Sequence, residues 1–334
     1  MQTNGFSAEP ARQRTPYARQ QYQLGARLGE GTWGEVFLGT GSHDGARVAI
    51  KRIKQKPSAK FEGINFSALR EIRLMREIRH KNVVELIDVF TRGSLLHLVL
   101  ELLDTDLEDV LYKRKVELSP SDIKSYVQMM LQGLEFCHSH CILHRDLKPG
   151  NVFVSAQGIV KLADFGLSRC HGGQQTLYMT PEVITQWYRP PELIFGACEY
   201  GGAVDMWSIG CLIAELWLKQ PIFAGLPEGS DKGGTTVTQQ VSDIDQLGKI
   251  FMILGTPNET TWPGVTLFNR YVEFQETSPI QWEAVLSNAD ESGVQLVEET
   301  LQLDPHRRLT ATQALKHTYF TVPPKPTPPS DLPR

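Results

Sequence analysis

Three polar side chains in the run His144-Arg145-Asp146-Leu147-Lys148-Pro149-Gly150-Asn151 are suited to the transfer of a phosphoryl group. Asp146 is placed to accept the proton of an attacking hydroxyl group. Lys148, two residues later, can neutralise negative charge on a phosphate during its transfer. Asn151 offers an amide oxygen to Mg²⁺, which prefers oxygen ligands. We therefore predict that this run is a catalytic loop, with Asp146 and Lys148 as catalytic residues.

The sequence Asp164-Phe165-Gly166 follows closely and supplies a second candidate metal ligand. The carboxylate of Asp164 can bind a Mg²⁺ ion that bridges the phosphates of a nucleotide. Two strand-like runs, at 152–154 and 159–162, separate it from the catalytic loop. They predict a hairpin that brings both motifs to one cleft, with Asn151 and Asp164 as the metal ligands.

The glycines of Gly29-Glu30-Gly31-Thr32-Trp33-Gly34 have the spacing G-x-G-x-x-G, which dinucleotide-binding proteins share. In those proteins the loop opens a helix, and an acidic residue follows about 20 positions on. Here the loop leads into a strand-like run at 35–38, and the next notable residue is Lys51. We predict a hairpin whose backbone lies over phosphates, with Lys51 reaching the α and β phosphates from the next strand.

Lys51 needs an anionic partner to hold it in place, and Glu71 is the candidate. Glu71 lies on an amphipathic helix that the sequence predicts over residues 66–79. Movement of that helix would make or break the ion pair, so the pair is also a candidate switch. One stripe of the helix is apolar: Leu69, Ile72, Met75 and Ile78.

The elements that position these residues change in character along the chain. Strand patterns fill the first part, including 36–38, 48–50, 83–90 and 95–101. Helical patterns dominate after residue 104, at 106–115, 121–138, 203–218, 243–254, 293–301 and 310–316. The sequence therefore predicts an α+β protein with a small β-rich front, which carries one regulatory helix, and a larger, mainly helical rear.

Composition adds limits on the segments and on the partners. The 334 residues carry a net charge of −4, which gives no reason to expect direct nucleic-acid binding or membrane binding. Residues 1–20 are polar and predict a disordered tail. Residues 225–241 are rich in Gly, Ser and Thr and predict a flexible insert, whereas the Pro-rich residues 321–334 predict an extended tail.

The motifs together resemble those of eukaryotic protein kinases, from Tyr22 to Phe320. The resemblance implies a bilobal protein kinase fold, with an N-lobe of residues 21–103, a C-lobe of residues 104–320, and ATP with Mg²⁺ between them. The form Asp-Leu-Lys-Pro-x-Asn, which contains Lys148, is similar to that of serine/threonine kinases rather than tyrosine kinases.

The same resemblance implies roles for further residues. Thr185 supports phosphoryl transfer, Leu100 is the gatekeeper, and the backbone of Glu101 and Leu103 meets adenine. The implied ATP-binding residues are Leu28, Gly29, Glu30, Gly31, Thr32, Trp33, Gly34, Val36, Ala49, Lys51, Glu71, Leu100, Glu101, Leu103, Asn151 and Asp164.

Within the kinases, the chain resembles the cyclin-dependent family. Residues 65–71 read Asn-Phe-Ser-Ala-Leu-Arg-Glu, where that family carries its cyclin-contacting helix, and residues 185–189 and 205–208 are similar to its T-x-W-Y-R and D-x-W-S motifs. The resemblance narrows to the cyclin-dependent-kinase-activating kinase, the catalytic subunit of the TFIIH kinase module, through Glu192-Leu-Ile-Phe-Gly-Ala and the closing run at 311–333.

That resemblance implies partners, substrates and a location. The partner would be a cyclin similar to cyclin H, with an assembly factor and TFIIH components as further partners. The protein substrates would be the T-loops of other cyclin-dependent kinases and the C-terminal domain of RNA polymerase II. The location would be the nucleus, with the cytoplasm as a second possibility.

The segment between Asp164 and Glu192 contains a candidate activation switch. The resemblance places an activating phosphothreonine at Thr180, and a phosphate there would need an arginine cluster to order the loop. The arginines at matching places are Arg70, Arg145 and Arg169. Since Pro181 follows Thr180, a proline-directed kinase is a candidate for its modification.

The chain departs from its relatives at three places. Trp33 stands where most cell-cycle relatives have an inhibitory tyrosine, and Gln186 stands near the position that reads the substrate's +1 residue. The usual Ala-Pro-Glu is Pro190-Pro191-Glu192, with Arg308 as the predicted buried partner of Glu192.

Three alternatives stay open at this point. The chain could be another cyclin-dependent kinase, of the cell cycle or of transcription. It could belong to another kinase group such as the mitogen-activated kinases, which usually carry paired Thr-x-Tyr activation sites, whereas here Tyr178 precedes Thr180, in the reverse order. It could also be a pseudokinase scaffold, although every catalytic position is intact.

Overall fold

The structure is a computed structural model that describes residues 22–31, 34–53, 72, 75–76, 78–93, 95–165, 168–170, 184–224 and 242–334. The predicted tail at 1–20 and the predicted insert at 225–241 lie outside these residues. So do Thr32, Trp33, Arg70, Glu71 and Thr180, together with the side chain of Arg169. Of the apolar stripe predicted for the regulatory helix, the described members are buried: Ile72, Met75 and Ile78.

The N-lobe is built on an antiparallel sheet with the strand order β1-β2-β3-β5-β4. The strands are β1 (Tyr22–Gly31), β2 (Gly34–Gly41), β3 (Arg47–Ile53), β4 (Leu86–Arg92) and β5 (Leu95–Glu101). The turn after β2 contains Gly45 at φ +66°, a conformation that glycine adopts without strain. The glycine-rich run that begins at Gly29 lies between two strands, β1 and β2, as the sequence predicted.

The C-lobe contains two small sheets. The first is formed by β6 (Thr105–Asp106), β8 (Val152–Val154) and β9 (Val160–Leu162), and in the second β7 (Ile142–Leu143) pairs with β10 (Arg169–Cys170). The hairpin of β8 and β9 is the one predicted between the catalytic loop and Asp164. It therefore brings the two motifs together.

Helices make up most of the C-lobe. After a π-helix at Asp109–Lys113 come α1 (Pro120–Ser139), α2 (Pro191–Ile194), α3 (Ala203–Leu218), α4 (Asp243–Leu254), α5 (Trp282–Val285), α6 (Glu291–Thr300) and α7 (Ala311–Ala314). Short 3₁₀ turns lie at Pro149–Asn151, Gln186–Tyr188, Val265–Leu267, Pro305–Arg307, Thr318–Phe320 and Pro329–Asp331. The helices predicted over 121–138, 203–218 and 243–254 are confirmed, and none of the helices in the described part of the chain is long and apolar enough to cross a bilayer.

Helix α1 begins where its capping residues dictate. The Oγ of Ser119 accepts a hydrogen bond from the backbone N–H of Asp122, and the Asp122 carboxylate accepts one from the backbone N–H of Ser119. This reciprocal capping box satisfies donors that a helix start otherwise leaves unpaired. Pro120 occupies the first helical position, where its missing N–H costs nothing.

Two hydrophobic clusters matter for the cleft. The large one fills the C-lobe between α1 and α3, and every residue of α3 from Val204 to Trp217 is buried. The other joins the lobes, since it combines Leu98 of β5 with Phe165 of the Asp-Phe-Gly motif and with Met75 of the regulatory segment. The position of Phe165 is therefore tied to both lobes.

The predicted pair of Glu192 and Arg308 is present and fully buried. Two guanidinium nitrogens of Arg308 donate to the two carboxylate oxygens of Glu192, at 2.5 and 2.7 Å. The remaining N–H groups of Arg308 donate to the backbone carbonyls of Ala203, Gln302 and Leu303. The pair therefore ties the end of the activation segment to the C-terminal part of the lobe, with all its donors satisfied.

We predict that Arg308→Met destabilises the chain by about 3–5 kcal/mol, since it leaves the Glu192 carboxylate buried and unpaired. The double variant Glu192→Leu with Arg308→Met should be less destabilised than Arg308→Met alone. The neighbouring Arg307, which is half exposed, provides the control, and Arg307→Met should change stability by less than about 0.5 kcal/mol. Urea unfolding measures all three; equal losses for Arg307→Met and Arg308→Met would contradict the assignment.

Candidate active site

The catalytic loop is held by one buried carboxylate, that of Asp205 on α3. Its two oxygens accept hydrogen bonds from the backbone N–H groups of His144 and Arg145, at 2.9 and 2.8 Å. The Nε2 of His138 on α1 lies 2.8 Å from the same carboxylate. Burial alone would raise the pKa of Asp205, but the hydrogen bond and charge of His138 and the loop N–H groups hold it below its ordinary value. Asp205 therefore remains an anion that fixes the loop backbone.

His144 supports the loop as a neutral imidazole, because complete burial lowers its pKa. Its Nε2 lies 3.0 Å from the carbonyl of Ala163, and its Nδ1 lies 3.3 Å from the backbone N–H of Asp146. These contacts assign the proton to Nε2, which donates, and leave Nδ1 as the acceptor. The His144 side chain therefore joins the backbone at Asp146 to the residue before Asp164.

Asp146 lies at the centre of a hydrogen-bonded cluster of the predicted catalytic residues. Its Oδ1 accepts from the Thr185 hydroxyl at 3.0 Å, and its Oδ2 lies 3.3 Å from the Nζ of Lys148. The Nζ of Lys148 is also 3.2 Å from the Thr185 hydroxyl. A carboxylate beside a hydroxyl and an ammonium group is the arrangement needed to take a proton while stabilising charge on a phosphate.

Asn151 presents its amide in a defined orientation. Its Nδ2 donates to the backbone carbonyl and to the Oδ2 of Asp146, at 2.7 and 2.9 Å. The amide oxygen is then the atom suited to a cation. The backbone carbonyl of Asn151 accepts from the N–H of Ala163, so β8 and β9 bring Asn151 close to Asp164. One amide and one carboxylate, completed by phosphates and water, form a donor set typical of Mg²⁺.

Lys51 and Asp164 form an ion pair across the cleft. The Nζ of Lys51 lies 2.7 Å from the Oδ1 of Asp164, and Lys51 is 7% exposed. The predicted partner Glu71 lies outside the described residues, so the predicted Lys51–Glu71 pair stays a prediction. Asp164 adopts φ +62°, an unusual conformation for a residue with a Cβ atom. Backbone conformation and ion pairing together direct this carboxylate into the cleft.

The sheet register collects the predicted nucleotide-binding residues on one face. Residues directly opposite each other in antiparallel strands share a face, as do alternate residues of one strand. Gly29 lies opposite Val36, Val36 opposite Lys51, and Ala49 opposite Leu100. This face is therefore apolar around Ala49 and Leu100 and cationic at Lys51, as the base and phosphates of a nucleotide require.

The glycines of the loop differ in what surrounds them. A Cβ atom at Gly34 would lie 2.1 Å from the Arg52 carbonyl, so β2 and β3 can pair there only with glycine. Apart from its two chain neighbours, no described residue has an atom within 4 Å of a Cβ position at Gly29, on the face that carries Lys51. That open space fits a phosphate group. Leu28 is half exposed and Glu30 contacts Arg27, whereas the loop tip with Thr32 and Trp33 lies outside the described residues.

The predicted hinge follows β5 directly. The backbone N–H of Glu101 donates to the carbonyl of Glu85, and its carboxylate lies 2.7 Å from the Nζ of Lys161 on β9. Leu103 packs against the cluster that joins the lobes. The sequence did not indicate Lys161, which ties the hinge to the β8–β9 hairpin.

Part of the predicted phosphate-sensing cluster is described. Arg145 is buried at φ +64°, with one guanidinium nitrogen 2.9 Å from the hydroxyl of Tyr200. Arg169 in β10 lies opposite Leu143, two residues before Arg145. Arg70 and Thr180 lie outside the described residues. The register therefore places Arg169 beside the catalytic loop, and the role of the arginines stays a prediction.

Sequence reasoning missed the role of two acidic residues on α3. Asp205 was noted only within a family motif, and Glu215 was not noted. Both are fully buried on a helix that is apolar all round. A carboxylate in such a helix must be paired or protonated, so these acids were the available signal.

Glu215 connects the segment that follows Thr185 with the π-helix. The hydroxyl of Tyr188, three residues after Thr185, donates to its Oε2 at 2.8 Å, and the hydroxyl of Tyr112 donates to its Oε1. Burial raises the pKa of Glu215 to about 7, although both tyrosine hydrogen bonds act to lower it.

Comparisons with known proteins agree with this geometry. Residues 22–320 match the family model described as protein kinase domain. Cyclin-dependent kinase D-1 of Oryza sativa subsp. japonica is 46% identical over 307 residues, which are 92% of this chain and 68% of that protein. Cyclin-dependent kinase 7 of Dictyostelium discoideum is 43% identical over 315 residues, 94% of this chain and 83% of that protein.

A solved structure agrees as well. The structure of the CAK complex from Chaetomium thermophilum bound to ATP-γ-S has a chain 40% identical to this one, with a TM-score of 0.81 over 93% of this chain and 94% of the other. The chain therefore belongs to the protein kinase family and, within it, to the cyclin-dependent kinases. It is a serine/threonine kinase with the two-lobed fold of that family, uses ATP with Mg²⁺, and membership implies a cyclin partner.

We predict that Glu215→Gln removes a pH dependence of stability between about pH 4.5 and 7. Because the pKa of Glu215 is higher in the folded chain, the folded state holds the proton that the unfolded state releases in this window. The stabilisation is complete below about pH 4.5 and is lost as the pH rises through 7. Relative to Glu215→Gln, the unsubstituted chain should lose about 3 kcal/mol across the window.

Urea unfolding between pH 4.5 and 8 measures this difference. Glu283, an exposed carboxylate on α5, is the matched control, and Glu283→Gln should follow the unsubstituted chain in parallel. Parallel curves for Glu215→Gln as well would show that Glu215 does not titrate in this range.

Proposed function

We propose that this kinase acts as a cyclin-dependent-kinase-activating kinase, which phosphorylates the T-loop threonines of other cyclin-dependent kinases and the C-terminal domain of RNA polymerase II. The observation that carries the proposal is the Asp146–Lys148–Thr185 cluster in a chain similar to kinases of the CAK complex. The cluster supports an active enzyme and counts against a pseudokinase. The likeness at 40–46% identity favours this group over other cyclin-dependent kinases.

The proposed roles follow from the contacts. Asp146 accepts the proton of the substrate hydroxyl. Thr185 helps to position Asp146 for this step by holding its carboxylate. Lys148 neutralises charge on the transferred phosphate. Asn151 and Asp164 would hold Mg²⁺, and Lys51 would bind the α and β phosphates beneath the backbone of Gly29. ATP supplies the phosphoryl group; Glu101 and Leu103 would bind its adenine through their backbone.

The proposed assembly has a cyclin similar to cyclin H as activating partner, with an assembly factor and TFIIH components as further partners, and acts in the nucleus. Family membership implies the cyclin, and the similarity to a chain of a CAK complex supports the narrower identification. Affinity purification from native cells, with identification of the bound proteins, tests it. A mitotic cyclin in place of a cyclin similar to cyclin H would overturn it.

We predict that Asp146→Asn lowers kcat on a C-terminal-domain heptad peptide and on a T-loop substrate by about 10²–10⁴-fold, the usual contribution of a general base. ATP should still bind, because Asn keeps a hydrogen-bond acceptor for Thr185. Initial rates for the purified cyclin complex and ATP titration by calorimetry measure the two effects. Activity retained on both substrates would exclude Asp146 as the base, and an unsubstituted complex active on neither substrate would exclude the proposed function.

We predict that Thr180→Ala lowers activity on the same peptide by about tenfold or more, since phosphothreonine would form charge-assisted hydrogen bonds with the arginines of the predicted cluster. In the Arg145→Met variant, which keeps Thr180, the remaining activity should be the same with and without phosphate at Thr180. Full activity of Thr180→Ala would contradict an activating role for this threonine.

A further inference from the structure

The C-terminal residues 321–334, here called the C-terminal strap, cross the C-lobe along two elements. On α1, the Nζ of Lys124 donates to the carbonyl of Val322 at 2.9 Å, and the Tyr126 hydroxyl donates to the carbonyl of Pro333 at 2.8 Å. Leu332 is buried in the C-lobe core. The sequence predicted an extended tail here, but not that it would pack along the lobe.

The strap also covers the turn between β8 and β9. Arg334 donates to the carbonyl of Ala156 at 2.5 Å. A Cβ atom at Gly158 would lie 1.7 Å from the carbonyl oxygen of Pro329, so the strap backbone sits directly on this glycine. The same hairpin follows Asn151 and precedes Asp164. The strap therefore lies on the end of the hairpin opposite to the one that carries the candidate metal ligands.

Thr327 is the point at which the middle of the strap is attached. Its backbone N–H donates to the carbonyl of Ser121 at 3.1 Å, and its hydroxyl donates to the Oδ1 of Asp122 at 2.6 Å. Pro328 follows it and is exposed, while Thr327 is partly exposed. A threonine followed by proline in an extended segment is the form that proline-directed kinases modify.

We propose that Thr327 is a phosphorylation site for a proline-directed serine/threonine kinase, and that its modification releases the C-terminal strap from α1. In the reaction, the Oγ1 of Thr327 forms a bond to the γ-phosphorus of ATP as the bond from that phosphorus to the bridging oxygen breaks. ADP leaves, and the hydroxyl proton passes to a carboxylate of the modifying kinase.

Release follows from the charge that faces Thr327. The hydroxyl is a donor to Asp122, whereas a phosphate with nearly two negative charges offers acceptors to a carboxylate that cannot donate. Asp122 is also not able to turn away, because its Oδ2 accepts from both the backbone N–H and the hydroxyl of Ser119. The modification therefore exchanges a short hydrogen bond for repulsion between like charges.

The positive end of α1 does not offset this repulsion. A helix start favours one anion, and Asp122 in the capping box already occupies that place. The nearest buried cation of the helix, Lys124, is engaged by the Val322 carbonyl and lies 4.6 Å from the centre of the Tyr319 ring. Lys325 belongs to the strap and would move with it.

Ser119 shows that proline alone does not define the site. It precedes Pro120 and contacts the same carboxylate, but it caps a helix and its hydroxyl is held there. A kinase that needs an extended substrate would have to unwind α1 to reach it, whereas residues 325–328 around Thr327 lie in neither helix nor strand.

The test treats the full chain and its Thr327→Val variant with an active mitogen-activated protein kinase and ATP. Phosphosites are mapped by mass spectrometry, and hydrogen exchange is followed in the strap and at residues 121–127. Phosphate at Thr327 and at least tenfold faster exchange in the strap are expected for the full chain, with no such change on treatment of Thr327→Val. A synthetic peptide of residues 322–334 is the positive control for the kinase.

Charged variants test release independently of any kinase. Thr327→Glu should expose the strap, whereas Ser330→Glu, which adds the same charge to an exposed strap residue beside Asp331, should not. Adding Asp122→Asn to Thr327→Glu should restore most of the protection, because an amide can donate to the new carboxylate. Three outcomes would each overturn the proposal. The first is phosphorylation of the peptide but not of the chain, and the second is unchanged or increased protection of the strap after modification. The third is equal exposure of the strap in both Glu variants.

Discussion

The active site depends on one buried anion, the carboxylate of Asp205. It accepts the backbone N–H groups of two successive residues, His144 and Arg145. Arg145 has φ +64°, a conformation that costs a non-glycine residue of the order of 1–3 kcal/mol and persists only when its surroundings fix it. Two hydrogen bonds to a charged acceptor provide that fixation. Together with the bonds that His144 and Asn151 make to the backbone of Asp146, they hold the peptide that presents the predicted base.

Helix α3 extends the same constraint to the segment that follows Thr185. Asp205 in its first turn holds the catalytic loop, and Glu215 near its end holds Tyr188 of the segment that begins with Thr185. The helix is buried from Val204 to Trp217, so its apolar packing fixes the distance between the two acids. Two parts of the candidate site are therefore anchored to one rigid helix, and two acidic residues are buried there despite their desolvation cost.

Local sequence was enough to predict most elements and the identity of the site. Strands 152–154 and 159–162 and helices α3 and α4 follow from local patterns, whereas the Glu192–Arg308 pair was expected only from the family resemblance. Contacts between distant parts of the chain did not follow, since nothing near Lys51 indicates the ion pair with Asp164, and nothing near Lys161 indicates Glu101. The sequence pattern was sufficient to infer that acids are buried in an apolar helix. Their partners depend on tertiary packing, which periodicity does not encode.

One backbone fixation holds two neighbouring residues of the catalytic loop, Arg145 and Asp146, for which the sequence predicts different roles. The bonds to Asp205 set the backbone of Arg145, whose side chain reaches Tyr200, while Arg169 of β10 pairs with Leu143, two residues earlier. The next residue, Asp146, has its N–H on His144 and its carboxylate on Thr185, Lys148 and Asn151. One peptide bond therefore separates the predicted phosphate-sensing residue from the predicted base. The predicted regulatory role of Arg145 and the predicted catalytic role of Asp146 therefore depend on the same buried anion, because the Asp205 carboxylate holds the backbone from which both side chains extend.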